Sequence, residues 1–287
     1  MADITLRGMI GATDGVTQSF LSQTYPAIAA AISTPITYAA ILYWALYGYK
    51  VYEGHSPMQP KEFLAKAVMT ALVFGMLNWG GGFAQTIYNA FVSFTESAAS
   101  TVMAGKPTPQ MLDALWSNVD AVSSRLRSMD FYQFAMICDG FLLFVVNCIL
   151  FIVALVYMTI AKFGLAITMV LCPLFVGFLM FPETRQWFIN WVSKMLTFCF
   201  MYILVIAIIR LGFLSFGDAI DTAGKMAQTE AFVTSEQTGQ LIIVEGVLIL
   251  FMLGVRSWAA KLAGGVSSST GMLVMVGRMI ITKGFGK

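Results

Sequence analysis

The sequence predicts an all-α polytopic membrane protein of five to six transmembrane helices with amphipathic flanking helices. Three observations lead there. The chain has 287 residues, of which 58% are hydrophobic and 11% charged, against about 25% charged in a soluble chain. Its mean hydropathy is +0.78. Uncharged runs recur along it, several near the roughly 20 residues that a membrane-crossing helix needs. The formal net charge of +2 carries no mark of a nucleic-acid-binding surface. In a chain of this class the position of the basic residues is informative, not their sum.

Residues 1–24 read as an amphipathic N-terminal segment. Met9, Ile10, Thr13, Val16, Thr17, Phe20 and Leu21 fall at helical spacing, which suits an interfacial helix. The segment is too polar to serve as the apolar core of a signal peptide. Residues 25–95 read as a first membrane hairpin. Tyr25 to Tyr49 is uncharged, Pro35 is placed to bend it, and Tyr43, Trp44, Tyr47, Tyr49 and Lys50 make an aromatic and basic boundary. Ala27 with Ala31, and Ser33 with Thr37, offer small-residue contact faces. Ala67 to Thr95 is the second uncharged run. At its centre stand Gly80, Gly81 and Gly82, each costing a helix about 1 kcal/mol relative to Ala. They mark either a helix break or a tight packing patch.

Residues 96–130 read as an extramembrane amphipathic helix and loop. Thr108 and Pro109 suit an N-cap and first turn. Leu112, Leu115, Trp116, Val119, Val122 and Leu126 then form an apolar stripe. Residues 131–263 hold the remaining membrane helices. The run from Phe131 to Ala161 carries Asp139 and Asn147. An acid inside a span costs about 3 kcal/mol on insertion scales, which makes Asp139 a functional candidate by default. It also lies only about two turns from the run's start, where headgroup water can reach it. Lys162 marks a short connection to the next run. Arg210 near the end of another span suits snorkelling to the interface. Glu245 lies inside the last span, and its distance along the helix from Arg256 forbids direct pairing. Residues 264–287, with Arg278, Lys283 and Lys287, read as a basic membrane-surface tail.

The chain is organised around residues 168–211, two apolar runs joined by Pro182, Glu183, Thr184, Arg185 and Gln186. This is a tight membrane hairpin with its turn at a water interface. Pro182 suits a helix's first turn. Pro173 is expected to kink the first arm, and the carbonyl it frees needs a partner from another helix or water. Trp187 and Trp191, four apart, share a face and suit an aromatic belt at headgroup depth.

The run from Cys172 to Ile208 resembles the signature hairpin of the TrbL/VirB-six family, polytopic inner-membrane subunits of bacterial type IV secretion and conjugation machines. The matching features are Pro173-Leu174-Phe175, Phe181-Pro182, Thr184-Arg185, the aromatic pair Trp187 and Trp191, and the long apolar helix after them. The resemblance implies an oligomeric inner-membrane platform, non-enzymatic, for DNA or protein transfer and pilus assembly. It implies partners among secretion ATPases, pilin subunits and periplasmic channel proteins, besides membrane lipids and further copies of the chain. It also implies a central loop on the periplasmic side.

Charge bias alone favours cytoplasmic termini, with Arg256, Lys261, Arg278, Lys283 and Lys287 at the C-terminal end. The family pattern instead has an external N-terminus, so the side of residues 96–130 stays open. The residues point to no cofactor, metal site or catalytic group. His55 is the only histidine, and Cys138, Cys148, Cys172 and Cys199 form no Cys-x-x-Cys pair. No Walker-type phosphate loop, Gly-x-Ser-x-Gly or His-Glu-x-x-His motif occurs. The other reading is a stand-alone transporter or channel for a small solute, with Asp139, Glu245 and the Gly80–Gly82 break as a midplane site.

Overall fold

The computed structural model describes residues 6–54, 60–77, 83–103, 108–128, 134–228 and 235–268, and every element among them is helical. The helices are α1 (Leu6–Tyr52), α2 (Pro60–Met76), α3 (Phe83–Val102), α4 (Thr108–Arg127), α5 (Phe134–Val170), α6 (Cys172–Gly177), α7 (Arg185–Gln228) and α8 (Ser235–Ser268). Among the described residues, four are long and apolar enough to cross a membrane: Gly11–Tyr52, Ala135–Val170, Arg185–Gly212 and Thr238–Gly264. That is fewer than the five to six expected. The difference has identifiable causes.

Two expected boundaries are absent. The amphipathic N-terminal segment and the first span are one unbroken helix, α1, which runs through Pro26 and Pro35. The connection expected at Lys162 does not exist, because α5 continues to Val170. Lys162 was read as a boundary because a bare ammonium is costly among apolar residues. Here it is not bare. It pairs with the Asp14 carboxylate and lies 5.6 Å from the centre of the Tyr202 ring. The runs expected as spans three and four therefore merge. Within the second uncharged run, α2 ends at Met76 and α3 begins at Phe83.

The chain forms two compact units. The first comprises residues 1–14, 94–162 and 200–259. Its interior is built from single stripes of long helices. On α5 the stripe runs through Leu143, Leu150, Ala154 and Met158, and on α8 through Leu241, Leu248, Met252 and Val255. These are the three-to-four-residue spacings of one helix face. Helix α4 does not stand clear of the apolar helices. Val119, Val122 and Leu126 are buried, the Trp116 ring meets Phe151 edge-on at 5.1 Å, and Leu126 packs at Gly140. So α4 runs antiparallel to the first half of α5. Gly140 permits this, because a Cβ there would lie 2.6 Å from the Leu126 Cβ and 3.1 Å from the Ser123 carbonyl oxygen.

The second unit comprises residues 15–93, 163–199 and 260–287, of which those beyond 268 lie outside the described residues. The basic-tail residues Arg278, Lys283 and Lys287 are among these. Helix α1 contributes Leu21, Tyr25, Ala29, Ile36 and Ala40 to the core, which also takes in residues of α2, α3, α6 and α7. The expected small-residue faces are elsewhere. Ala27 and Ala31 are exposed, and the Ser33 and Thr37 hydroxyls donate to carbonyls of their own helix. Helix α2 packs on α6. The end of α2 is closed by α1: the Tyr25 hydroxyl donates to the Met76 carbonyl, one of the last-turn carbonyls that have no helical partner. The apolar surroundings make that bond necessary, since an unsatisfied carbonyl in a dry core costs about 1–3 kcal/mol.

Candidate functional site

The hairpin of residues 168–211 takes its geometry from two interruptions. Helix α5 stops at Val170, and α6 starts at Cys172 with Pro173 in its first two positions. Pro173 therefore opens a new helix, where its missing N–H is no loss. After α6 the chain turns through residues 178–184. The Thr184 hydroxyl donates to the Phe178 carbonyl at 2.8 Å. The backbone N–H groups of Thr184 and Arg185 donate to the Phe181 carbonyl at 3.2 and 3.1 Å. This turn holds Pro182 and Glu183, so Pro182 is not in the first turn of α7 as expected. The helix begins three residues later, at Arg185, which is exposed.

The two tryptophans do different jobs. Trp187 is 54% exposed and meets the Phe178 ring edge-on at 4.8 Å. It has the exposure expected of an aromatic-belt residue. Trp191 is 4% exposed and is not at the surface. Its indole N–H donates to the Thr168 carbonyl at 2.8 Å, its ring stacks on Phe175 at 6.2 Å, and Phe188 lies 5.5 Å away. Thr168 is in the last turn of α5, where carbonyls lose their helical partners. Helix α7 thus supplies a donor to one end carbonyl of α5, although the carbonyl that the missing N–H of Pro173 would have served is the next one, that of Met169. Four-residue spacing puts the two tryptophans on one side of α7. One helical turn of about 5.4 Å along the axis separates the exposed end of that face from the core, and this explains their different fates. Gly164 lets the arms close: a Cβ there would lie 2.3 Å from the Phe198 ring.

The candidate intramembrane polar residues all belong to the first unit. Asp139 is half-buried in the second turn of α5 and is engaged in an interaction of its own. Arg210 is half-buried on α7. Asn147 is fully buried, and both polar atoms of its amide lack a hydrogen-bond partner. Glu245 is 5% exposed, and its Oε2 has no partner. Each occupies the middle of its helix's buried stripe. Buried polar atoms are nearly always paired, so such exceptions mark places where water, an ion or a functional role belongs. Gly80, Gly81 and Gly82 lie outside the described residues, as does His55. All four cysteines are free thiols, with Cys138 exposed and Cys172 and Cys199 buried. Among the described residues no group of His, Cys, Asp and Glu is arranged to hold a metal.

Sequence reasoning missed Tyr25 and Asp14. Asp14 lies in the segment read as a surface helix and Tyr25 at the start of the first membrane run, and nothing local tells that their partners are Lys162 and the end of α2.

Comparison with known proteins bears on this arrangement. The type IV secretion system protein VirB6 of Bartonella henselae is 22% identical over 189 residues, covering 65% of this chain and 59% of that protein. The protein of the same name from Bartonella quintana is 21% identical over 192 residues, covering 66% and 60%. The chain thus spans 59–60% of the length of these curated relatives. The family model described as TrbL/VirB6 plasmid conjugal transfer protein matches residues 40–255, a stretch that holds the braced hairpin and both buried polar residues. The chain belongs to the TrbL/VirB6 family.

Proposed function

We propose that the chain is a non-enzymatic inner-membrane subunit of a type IV secretion machine. In this reading several copies form part of a platform through or beside which DNA or protein substrate passes, and on which the pilus is assembled. The family match over residues 40–255 carries the proposal. The broad apolar faces support it: Ile41, Leu42 and Leu46 on α1, and Ile152, Val156 and Ile160 on α5, are exposed on the chain taken alone. Such faces suit lipid and neighbouring helices, and the exposed Ala27 and Ala31 suit close helix contact. Energy for transfer comes from partner ATPases, and pilin subunits and periplasmic channel proteins are the other partners. In this reading the C-terminus is cytoplasmic, as the basic residues toward it favour.

The test is deletion and complementation in the native strain, joined to purification of a tagged chain in mild detergent. Loss of conjugative transfer, with secretion ATPases and pilin-like subunits in the eluate, supports the reading. Undiminished transfer in the deletion strain refutes it.

The unpartnered oxygen of Glu245 and the unpartnered amide of Asn147 favour a second reading, a stand-alone solute transporter or channel. Specific uptake by the purified protein alone in lipid vesicles, lost in Glu245→Gln, would decide for it.

A further inference from the structure

A groove of about 570 Å³ opens on the first unit where the end of α4 meets the start of α5. Its walls are Ile137, Cys138, Phe141, Leu142 and Val145 of α5, with Arg127 of α4 beside them. The wall is hydrocarbon apart from one thiol, with Arg127 at its edge. Because α4 runs antiparallel to α5, Arg127 stands near the entrance of the apolar run Ala135–Val170. The apolar walls occupy that run's first three turns.

The guanidinium is held in place. Its carbon lies 4.4 Å from the centre of the Phe144 ring. Its Nε donates to the Ser123 carbonyl at 3.3 Å, and Nη2 is 3.9 Å from the Asp120 carboxylate. Two of its five N–H donors are accounted for by these contacts, the second at the long limit of an ion pair. Among the described residues of the first turns of α5, Asp139 is the acid, and it is already engaged.

We propose that this groove binds a phospholipid, with an acyl chain along Ile137, Phe141, Leu142 and Val145 and the phosphate on Arg127. The polarity of the groove is that of the ligand, one cation at the membrane edge and hydrocarbon inward. Arginine's planar fork matches phosphate oxygens in pairs. A phosphate also offsets the cost of holding a guanidinium against hydrocarbon. A second copy of the chain would have to bring an acid to the same spot. This goes beyond membership in a secretion machine and does not depend on it.

Cys138 is an exposed thiol inside the groove, while Cys172 and Cys199 are buried. With Cys148→Ser as background, the alkylation of Cys138 by a maleimide reports occupancy of the purified full chain in maltoside detergent. Phosphatidylglycerol should slow alkylation about tenfold, the effect of one strong charged contact. Diacylglycerol with the same chains and inorganic phosphate should each leave it unchanged. Arg127→Gln should abolish the slowing and Arg127→Lys keep part of it. Leu142→Trp, which fills the groove and keeps the cation, should remove the lipid's effect as well. Equal slowing by diacylglycerol would reduce the site to ordinary apolar contact and overturn the proposal. So would protection that rises with protein concentration without lipid, since a second copy would then be the cover.

Discussion

Replacing Trp191 with Ala should be the most damaging single change in the hairpin, and replacing Trp187 one of the mildest. Trp191 is 4% exposed and Trp187 is 54% exposed. Trp191→Ala removes the stacking on Phe175, the contact with Phe188 and the hydrogen bond to Thr168. Truncating a buried tryptophan to alanine costs about 3–5 kcal/mol. Trp191→Phe keeps most of the packing and loses only the hydrogen bond, and interhelical hydrogen bonds in membranes average about 0.6 kcal/mol, with a maximum of about 1.7. Packing therefore outweighs polarity at this position. Trp187→Ala loses one edge contact with Phe178, an interaction of about 0.5–1.5 kcal/mol when buried and less where half the side chain is exposed. The assay is thermal unfolding of the detergent-purified chain, followed by loss of the monodisperse elution peak. At about 2–4 °C per kcal/mol for a chain of this size, Trp191→Ala should fall by on the order of 10 °C, Trp191→Phe by a few degrees and Trp187→Ala by no more. Equal losses for the two alanine variants would refute the division of labour between these side chains. A Trp191→Phe loss as large as that of Trp191→Ala would put the hydrogen bond, not the ring, in charge.

Two glycines on first-unit helices should respond oppositely to alanine. Gly140→Ala drives a methyl into Leu126 and the Ser123 backbone and should cost about 1–3 kcal/mol, whereas Gly246→Ala meets open space and should gain up to about 1 kcal/mol of helix propensity; the same thermal assay reads both. For the pair of Asp14 and Lys162, Asp14→Ala alone should destabilise more than Asp14→Ala with Lys162→Met, because the single change strands an ammonium that is 17% exposed. Double-mutant unfolding measures this, and additive losses would contradict it. Glu245→Leu should leave stability unchanged or raised, since an apolar replacement removes an unpartnered buried oxygen. If Glu245 serves transfer, conjugation frequency in the complemented strain should fall while the yield of folded protein does not.

The fold class was legible because it follows from composition and run length, which are sums over many residues and tolerate local error. The span boundaries were harder to read, and the reason is particular. Each was inferred from a single charge or glycine cluster judged without its partner. Lys162 looked like a boundary because an unpaired ammonium would be one, and only the fold brings Asp14 to it across 148 positions of sequence. Tyr25 looked like the first residue of a span and is the donor that closes α2. The glycine cluster, read as either a break or a packing patch, lies outside the described residues.

The candidate site shows the same division between local and distant causes. Pro173 had to leave carbonyls without partners, and that necessity was readable from one residue type. Which side chain would meet the need was not, because any donor on a neighbouring helix would satisfy it. The donor found at the end of α5, Trp191 on the Thr168 carbonyl, lay in the aromatic pair already singled out, but an aromatic pair next to a membrane turn is read by its commonest use, at the interface. Four-residue spacing fixes direction around a helix and says nothing of depth along it. Depth is set by where the turn ends, and here the turn is closed by the Thr184 hydroxyl on Phe178 before α7 begins. Moving the start of α7 even one turn later would bring Trp191 toward the surface and leave Thr168 without its donor. The placement of the turn at residues 178–184 and the burial of Trp191 beyond it are therefore one structural decision, and a sequence pattern that treats them separately can recover only half of it.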